Sequence, residues 1–208
     1  MYKDKVGLLK KVWGGQIVRR QTKQRSPETT KEKRMPRLQS IEKTPVSSSA
    51  LPRRSGLRPK TIRGPLHVQC TGHGDPNLLH QIIQEVLDWP QIESTAPLVG
   101  YQNTVSIRLK ETACTDNASA FISGTEVARV LLKSPTIYLA LPLVCAHWAI
   151  VRGWAEPHYL TSYGLIPAGV VVLYTPRDEG ERAVCYALFG ESYNFACKLV
   201  STDSSQPF

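Results

Sequence analysis

The chain of 208 residues is long enough for one ordinary domain, and its formal charge of +9 is unevenly distributed. Residues 1–64 carry 18 basic and 4 acidic side chains, a net charge of +14, whereas residues 65–208 carry 8 and 13, a net charge of −5. Because the basic character lies outside the predicted folded part, the overall charge gives no support to a nucleic-acid-binding fold.

The cysteines and the hydropathy pattern favour an intracellular protein. Five cysteines are widely spaced, and the start Met-Tyr-Lys-Asp-Lys is followed by no uninterrupted apolar segment, so we predict reduced thiols and no secretory signal. The longest apolar run, residues 137–151, is interrupted by Pro142 and His147 and is shorter than the roughly 20 residues of a membrane span. We therefore predict a soluble protein of the cytoplasm, with mitochondrial and nuclear locations left open.

Residues 1–64 are predicted to form a basic, largely disordered tail. Positions 20–55 are rich in Arg, Lys, Ser, Thr and Pro, and their few apolar side chains cannot offset the entropy lost on folding. An alternative is a basic amphipathic helix at a membrane surface, or an organellar presequence. Its apolar face would consist of Val6, Leu9, Trp13 and Ile17.

The folded domain is expected to span residues 65–200 and to begin with a helix. Asp75 is a suitable N-cap, and Pro76 is tolerated at the first helical position. Apolar residues then recur at helical spacing as far as Leu87, and Trp89-Pro90 ends the pattern.

Four strands are predicted after this helix, at residues 98–101, 104–109, 126–132 and 136–141. In the second strand polar and apolar residues alternate, so only one of its faces is expected to be buried. The last two strands are predicted to form a hairpin, because a short Lys-Ser-Pro turn separates them.

The C-terminal third adds a helix, a strand and a helix. Residues 143–152 are apolar nearly all round and are expected to form a helix that lies against the core. Residues 169–174 are β-branched and predict an inner strand, and Asp178 is the N-cap of a final helix. The whole order predicts an α+β domain, a mostly antiparallel sheet with helices packed on it, followed by a frayed C-terminus at residues 201–208.

Three segments carry motifs of a known family. Residues 51–59 are similar to Leu-Pro-x-Arg-x-Gly-x-Arg-Pro, and residues 126–128 to the start of Glu-x-Ala-His-x-His. Residues 152–181 are similar to Gly-Trp-Gly-Glu-x-His followed by Tyr-x-Pro-Arg-x-x-x-Glu. By these motifs the chain resembles the fungal-type luciferase-domain proteins, whose name reflects annotation more than established light emission.

The resemblance covers residues 51–199 and implies a small α+β domain, without implying a particular reaction. In one place the chain departs from the family pattern. The His-x-His pair of the family is replaced by Arg129, Val130 and Leu131. A metal-binding or acid–base role of that pair is therefore not implied for this chain.

Glu156, His158 and Glu126 are the candidate catalytic residues. Glu156 and His158 are two residues apart in a segment predicted to be extended, so their side chains project to the same side. A carboxylate beside an imidazole can act as an acid–base pair. The alternative is structural: Glu156 pairs with Arg152 or Arg177, and His158 is a hydrogen-bonded polar group at a strand start.

Substrate-binding roles are predicted for basic and aromatic residues near that pair. Arg177 lies at a strand-to-helix turn and suits the binding of a carboxylate or phosphate. The other members of this group are Arg152, Tyr159, Trp154 and Arg129.

No metal or cofactor is predicted. The spacing of His67, Cys70, His73 and His80 matches no strong zinc pattern. Gly72-His73-Gly74 lacks the Lys-Ser/Thr of a phosphate-binding loop, and no Gly-x-Ser-x-Gly motif occurs.

Two functions agree with these patterns. The first is a domain that binds an apolar, acidic small molecule, as an accessory biosynthetic enzyme that performs an isomerisation or cyclisation by acid–base chemistry without a cofactor. The second is a non-catalytic adaptor whose basic tail binds nucleic acid or an anionic membrane. The sequence predicts no oligomeric state.

Overall fold

The computed structural model describes residues 51–95 and 103–197. Several predictions fall outside these ranges: the tail and amphipathic helix within residues 1–50, the strand at 98–101, and the C-terminus at 201–208. For the described residues, the predicted α+β class is confirmed by three α-helices and a mostly antiparallel arrangement of strands.

The strands form a small sheet and a large one. The small sheet consists of β1 (Thr61–Ile62) and β2 (Val68–Gln69). The large sheet consists of β3 (Ile92–Thr95), β4 (Thr104–Leu109), β5 (Glu126–Leu131), β6 (Thr136–Ala140), β7 (Ala155–Pro157) and β8 (Val170–Leu173). Its order is β3-β4-β5-β6-β8-β7, and every neighbouring pair is antiparallel. The β5–β6 hairpin and the inner strand β8 are thus confirmed, whereas β3 was not predicted.

The described part of the chain has three helices, and the first and third begin where the capping aspartates predict. They are α1 (Pro76–Leu87), α2 (Leu143–Val151) and α3 (Glu179–Ala196). The Asp75 side chain accepts a hydrogen bond of 2.8 Å from the backbone N–H of Asn77, and the Asp178 side chain accepts one of 2.8 Å from the N–H of Glu181. Each aspartate satisfies a backbone donor that the first turn of its helix leaves unpaired.

Helices α1 and α3 cover one face of the large sheet. The strand residues on this face have no exposed area: Ile107, Ala128, Leu139 and Val171. Helix α3 packs on β5 and β6, while α1 packs on α3 and β3. A hydrogen bond of 3.0 Å from the Trp89 indole to the Tyr186 hydroxyl joins the end of α1 to α3.

The opposite face of the sheet is also covered. Leu66, Val68 and Ile166 pack against a cluster that includes Tyr138 and Val172. The prediction that β4 buries only one face is therefore wrong. Polar strand residues such as Ser106 and Arg108 are buried, because the second face is covered by chain segments that lie outside the sheet.

Residues 51–64 belong to the folded domain, so the predicted boundary at residue 65 is wrong. Leu51 is buried, and the Trp154 indole donates a hydrogen bond of 2.6 Å to the Pro52 carbonyl. The backbone N–H of Arg54 donates to the Arg152 carbonyl at 2.9 Å. The low apolar content of this segment suggested a tail, but long-range hydrogen bonds and an ion pair of Arg54 fix it in place.

Helix α2 lies at the surface and not against the core as predicted. Only Ala146 and Ala149 are buried, whereas Leu143, Val144 and Val151 are about half to two-thirds exposed. Its contacts are mainly with the edge strand β7, which leaves much of the helix uncovered. Within the described ranges, none of the helices combines the length and hydrophobicity that a bilayer-spanning segment requires.

Gly74 makes a close approach that no side chain permits. A Cβ atom at this position would lie 1.7 Å from the Pro176 carbonyl oxygen and 2.5 Å from the Arg177 Cα. By contrast, a Cβ at Gly190 in α3 would meet no other atom within 4 Å.

We expect Gly74→Ala to lower the free energy of unfolding by about 1–3 kcal/mol, because the backbone of residues 176–177 has to move. The control Gly190→Ala should raise the same quantity by about 0.5–1 kcal/mol, because alanine favours the helix. Urea unfolding of both variants measures the two changes, and destabilisation of equal size in both would contradict the interpretation.

Candidate functional site

A row of side chains, polar except for Val172, crosses the large sheet on the face opposite the helices. Ser106, Arg129, Tyr138, Val172 and Glu156 are successive register partners in β4, β5, β6, β8 and β7. Directly opposed residues of neighbouring strands project to the same face. Two of the predicted site residues that are distant in sequence, Arg129 and Glu156, therefore lie on one face of the sheet.

Glu126 joins this row through a β-bulge. The register of β5 against β4 shifts at Val127, which turns Glu126 to the same face as Arg129. Glu126 has no exposed area and forms an ion pair with Arg129, whose Nε donates to Oε1 at 2.9 Å. The Ser106 hydroxyl donates to the same oxygen at 2.6 Å. These partners satisfy the carboxylate and favour a structural role for Glu126 and Arg129 over a catalytic one.

Glu156 is held by partners that the sequence did not indicate. Its Oε1 lies 2.5 Å from His67 Nε2 and accepts a hydrogen bond of 2.5 Å from Thr61 Oγ1, while Tyr174 donates to Oε2 at 3.2 Å. Burial alone raises the pKa of Glu156. The hydrogen bonds from His67 and Thr61, together with the attraction to His67 and the Tyr174 hydroxyl, more than offset burial and lower the pKa to about 2.

His67 connects β1–β2 to the large sheet. Its side chain has no exposed area, and its Nδ1 accepts a hydrogen bond of 3.1 Å from the Tyr159 backbone N–H. The other ring nitrogen, Nε2, faces the Glu156 carboxylate, so a proton on Nε2 points at Oε1. The sequence suggested Arg152 or Arg177 as the ion-pair partner of Glu156. That prediction is wrong, because the carboxylate of Glu156 contacts His67 instead.

His158 lies in the same region but forms no ion pair with Glu156. Its Nδ1 accepts a hydrogen bond of 3.2 Å from the Leu160 N–H, and its ring packs edge-to-face on Tyr138 at 4.5 Å between centroids. Nε2 is buried without a hydrogen-bond partner among the described residues. Burial, followed by repulsion from His67 and Arg129, lowers the pKa of His158 to about 4. His158 is therefore neutral at pH 7.

A second cluster surrounds Glu181 at the start of α3. Arg54 donates to both carboxylate oxygens, from Nε at 3.1 Å and from Nη2 at 2.8 Å, and Arg177 forms a second ion pair with the same carboxylate. Burial alone raises the pKa of Glu181, but the hydrogen bonds from Arg177 and Arg54 lower it to about 2. Arg177 also donates to the Ser55 carbonyl at 2.7 Å, so the cluster fixes the loop that contains Ser55.

The Arg54 guanidinium contacts aromatic rings and a backbone carbonyl in addition to Glu181. It lies near two aromatic rings, with its Cζ 5.7 Å from the centroid of Trp154 and 5.4 Å from that of Tyr174. Its Nη2 also donates to the Thr175 carbonyl at 2.8 Å. Nη1 is buried and has no hydrogen-bond partner in the described part of the chain. An arginine that is 8% exposed thus has one donor group without a hydrogen-bond partner among the described residues.

A cavity of about 110 Å³ lies beside this cluster, and residues 53–58 and 151–153 line it. Three of its lining residues besides Arg54 are arginines: Arg53, Arg58 and Arg152. Arg58 is fixed by a hydrogen bond of 2.6 Å from Nη2 to the Ile150 carbonyl. The Nε of Arg152 is buried without a hydrogen-bond partner among the described residues. The cavity therefore has donors and positive charge but no acidic lining residue.

The predicted site residues thus fall into two places. Glu126, Arg129, Glu156 and His158 lie on the covered face of the sheet, and Arg152, Trp154 and Arg177 lie at or beside the arginine cavity. Tyr159 joins neither group through its side chain, because its hydroxyl bonds the Tyr163 hydroxyl at 2.7 Å near the surface.

The sequence patterns missed His67, Arg54 and the ion-pairing role of Glu181. His67 lies next to a two-residue strand, which is too short to give a periodic signal. Arg54 and Glu181 stand in two of the family-like motifs, and those motifs were the only available signal that the two residues meet.

No group of three or more His, Cys, Asp and Glu side chains suited to a metal ion occurs among residues 51–95 and 103–197. A search against models of known protein families gave no match, and searches against curated proteins and solved structures gave none either. The resemblance to the luciferase-domain proteins therefore stays a prediction.

The pKa of His158 predicts a defined pH dependence of stability. In the unfolded chain a histidine titrates near about 6.5, whereas folded His158 titrates near about 4, so the unfolded state binds more protons between these values. The free energy of unfolding should therefore fall as the pH decreases through this window, by at most about 1.4 kcal/mol per pH unit from this group.

We expect His158→Gln to flatten the decrease in unfolding free energy between pH 6.5 and pH 4, as measured by urea unfolding at several pH values. The control His73→Gln changes an exposed histidine and should keep the slope of the unsubstituted protein. A His158→Gln slope equal to that of the control would show that burial of this imidazole does not set the dependence.

Proposed function

We propose that this protein binds a ligand with an acidic group, a carboxylate or phosphate, in the arginine cavity. The observation that carries the proposal is the Arg54 guanidinium, which is fixed by Glu181 and Thr175 while its buried Nη1 lacks a partner among the described residues. A fixed, desolvated guanidinium with a free donor binds an anion strongly, because little side-chain entropy is lost when the anion arrives.

The other lining groups support the same ligand chemistry. Arg58 and Arg152 add positive charge and further donors to the lining. Residues 51–197 contain 12 basic and 12 acidic side chains, so the positive charge of the cavity is a local feature and not a consequence of net charge. Local charge of this kind selects anions near the cavity.

Binding is favoured over acid–base catalysis by the pKa values on the covered face. General acids and bases work best when their pKa lies near the working pH. The pKa of Glu156 is about 2 and that of His158 about 4, and the Glu156 carboxylate is held by hydrogen bonds from other structural elements. The isomerisation or cyclisation suggested by these residues stays a prediction, as does the accessory biosynthetic role.

The test compares two arginine substitutions. We expect Arg152→Gln to weaken the binding of inorganic phosphate by about tenfold or more, about 1.4 kcal/mol, because one cationic group leaves the cavity. Arg182→Gln is the control, because Arg182 pairs with Glu85 and Glu179 on the helices and does not line the cavity. Titration calorimetry measures both affinities, and equal affinities in the two variants would refute the proposal.

A second proposal, the adaptor, rests on the charge of residues 1–50, which carry 13 basic and 4 acidic side chains. Contacts between exposed basic residues and phosphates give binding that weakens steeply with salt. We expect removal of residues 1–50 to abolish the binding of a short DNA duplex and its salt dependence, as measured by fluorescence anisotropy. Binding that survives the deletion unchanged would assign it to another part of the chain.

A further inference from the structure

We propose that the arginine cavity takes the phosphate group of an anionic phospholipid at a membrane surface, with Leu57 and the exposed side of α2 entering the interface of the bilayer. This inference rests on the proposed anion binding and names the ligand of that site. It concerns the folded domain and is independent of residues 1–50.

The cavity has an apolar rim. Leu57 is 94% exposed and Val151 is 49% exposed, and both residues line the cavity together with the arginines. Single exposed apolar residues are common on protein surfaces. Here two of them adjoin the same basic cavity, and one of them, Leu57, follows Gly56, whose φ is +75°.

The apolar surface continues along α2. Val144 is 62% exposed and lies seven residues before Val151, so the two side chains share one side of the helix, about 10 Å apart. Trp148 lies between them on the same side, and its ring stacks on the Arg152 guanidinium at 5.5 Å. Tryptophan next to arginine is typical of protein surfaces that contact the boundary between lipid headgroups and acyl chains.

The volume of the cavity favours a lipid headgroup over a small molecule that is enclosed completely. Sites that enclose a drug-sized ligand have volumes of about 300–1,000 Å³. A cavity of about 110 Å³ has room for a charged head and leaves the remainder of the ligand outside. The neighbouring apolar side chains point outward on a helix and a loop tip, a shape that suits a flat bilayer and cannot enclose an acyl chain.

Charge complementarity favours an anionic membrane over a protein partner. Residues 51–64 contain five basic residues and no acidic one: Arg53, Arg54, Arg58, Lys60 and Arg63. Basic residues beside exposed apolar side chains are the combination by which peripheral proteins bind anionic bilayers. An apolar surface that docks a protein would not require this excess of positive charge around a phosphate-sized cavity.

The experiment uses the full chain and vesicles of phosphatidylcholine with and without phosphatidylserine, in a sedimentation assay. Raised salt weakens attraction between charges, which reduces the contribution of the 13 basic residues within positions 1–50. We expect binding to the phosphatidylserine vesicles, and a loss of affinity of about tenfold in Leu57→Ser, because the inserted side chain is removed. Leu165→Ser, a control at a residue that is 70% exposed but outside the cavity lining, should bind like the unsubstituted protein.

Calorimetry with inorganic phosphate separates this inference from the proposed function. Val144→Ser, which changes the exposed side of α2 outside the cavity lining, should also lose vesicle affinity and should keep its phosphate affinity, since the substitution leaves the arginines and the rest of the lining unchanged. Phosphate binding without vesicle binding would overturn the membrane inference and leave the proposed function intact, whereas absence of phosphate binding would overturn the proposed function.

Vesicle binding that is equal in Leu57→Ser and the control would also overturn the inference. Loss of self-association in Leu57→Ser, with unchanged vesicle affinity, would instead assign the apolar surface to a second copy of the chain.

Discussion

The ion pairs of Glu181 are the interaction on which the arrangement of the cavity depends. One buried carboxylate is bound by two guanidinium groups, one from the segment before β1 and one from the turn before α3. Removing one partner of a buried pair leaves an uncompensated charge and typically costs about 3–5 kcal/mol, although the net contribution of an intact pair is small. Glu181 therefore matters less as a source of stability than as the group that determines where Arg54 and Arg177 lie.

The polar cluster on the covered face of the sheet and the cluster around Glu181 both contain buried charges, but their charges are balanced differently. A sheet covered on both faces leaves its polar residues in a dry environment, where each charge needs a partner. On the covered face Glu126 pairs with Arg129 of its own strand, and Glu156 pairs with His67 beside β2. Both carboxylates are therefore neutralised within the domain. Beside α3 there are more guanidinium groups than carboxylates, and several of the arginines line a cavity. That surplus distinguishes the proposed binding site from the structural network on the covered face.

Local patterns predicted the elements well, because caps and periodicity act over a few residues. The start of α1 at Asp75 and the inner position of β8 followed from such patterns. The burial of Ser106 and the surface position of α2 did not, because they depend on which distant segments cover the sheet. The contacts of the site could not be predicted for the same reason. Glu156 and His67 are 89 positions apart, and no local pattern in the sequence indicates that they pair. The family-like motif at residues 51–59 was the one indication that this segment belongs to the domain.

The distance between Arg54 and Glu181 along the chain has a consequence for the order of assembly. The two residues are 127 positions apart, and the N-terminal partner is synthesised first. The strands and α1 can form local contacts as they emerge, but the guanidinium of Arg54 has no carboxylate to receive it until the start of α3 has been made. The cavity therefore cannot take its final form before the start of α3 has been made, and a nascent chain that stops before α3 leaves Arg54 without its Glu181 partner. A chain that binds an anion in the arginine cavity would therefore be one whose synthesis has continued beyond Glu181.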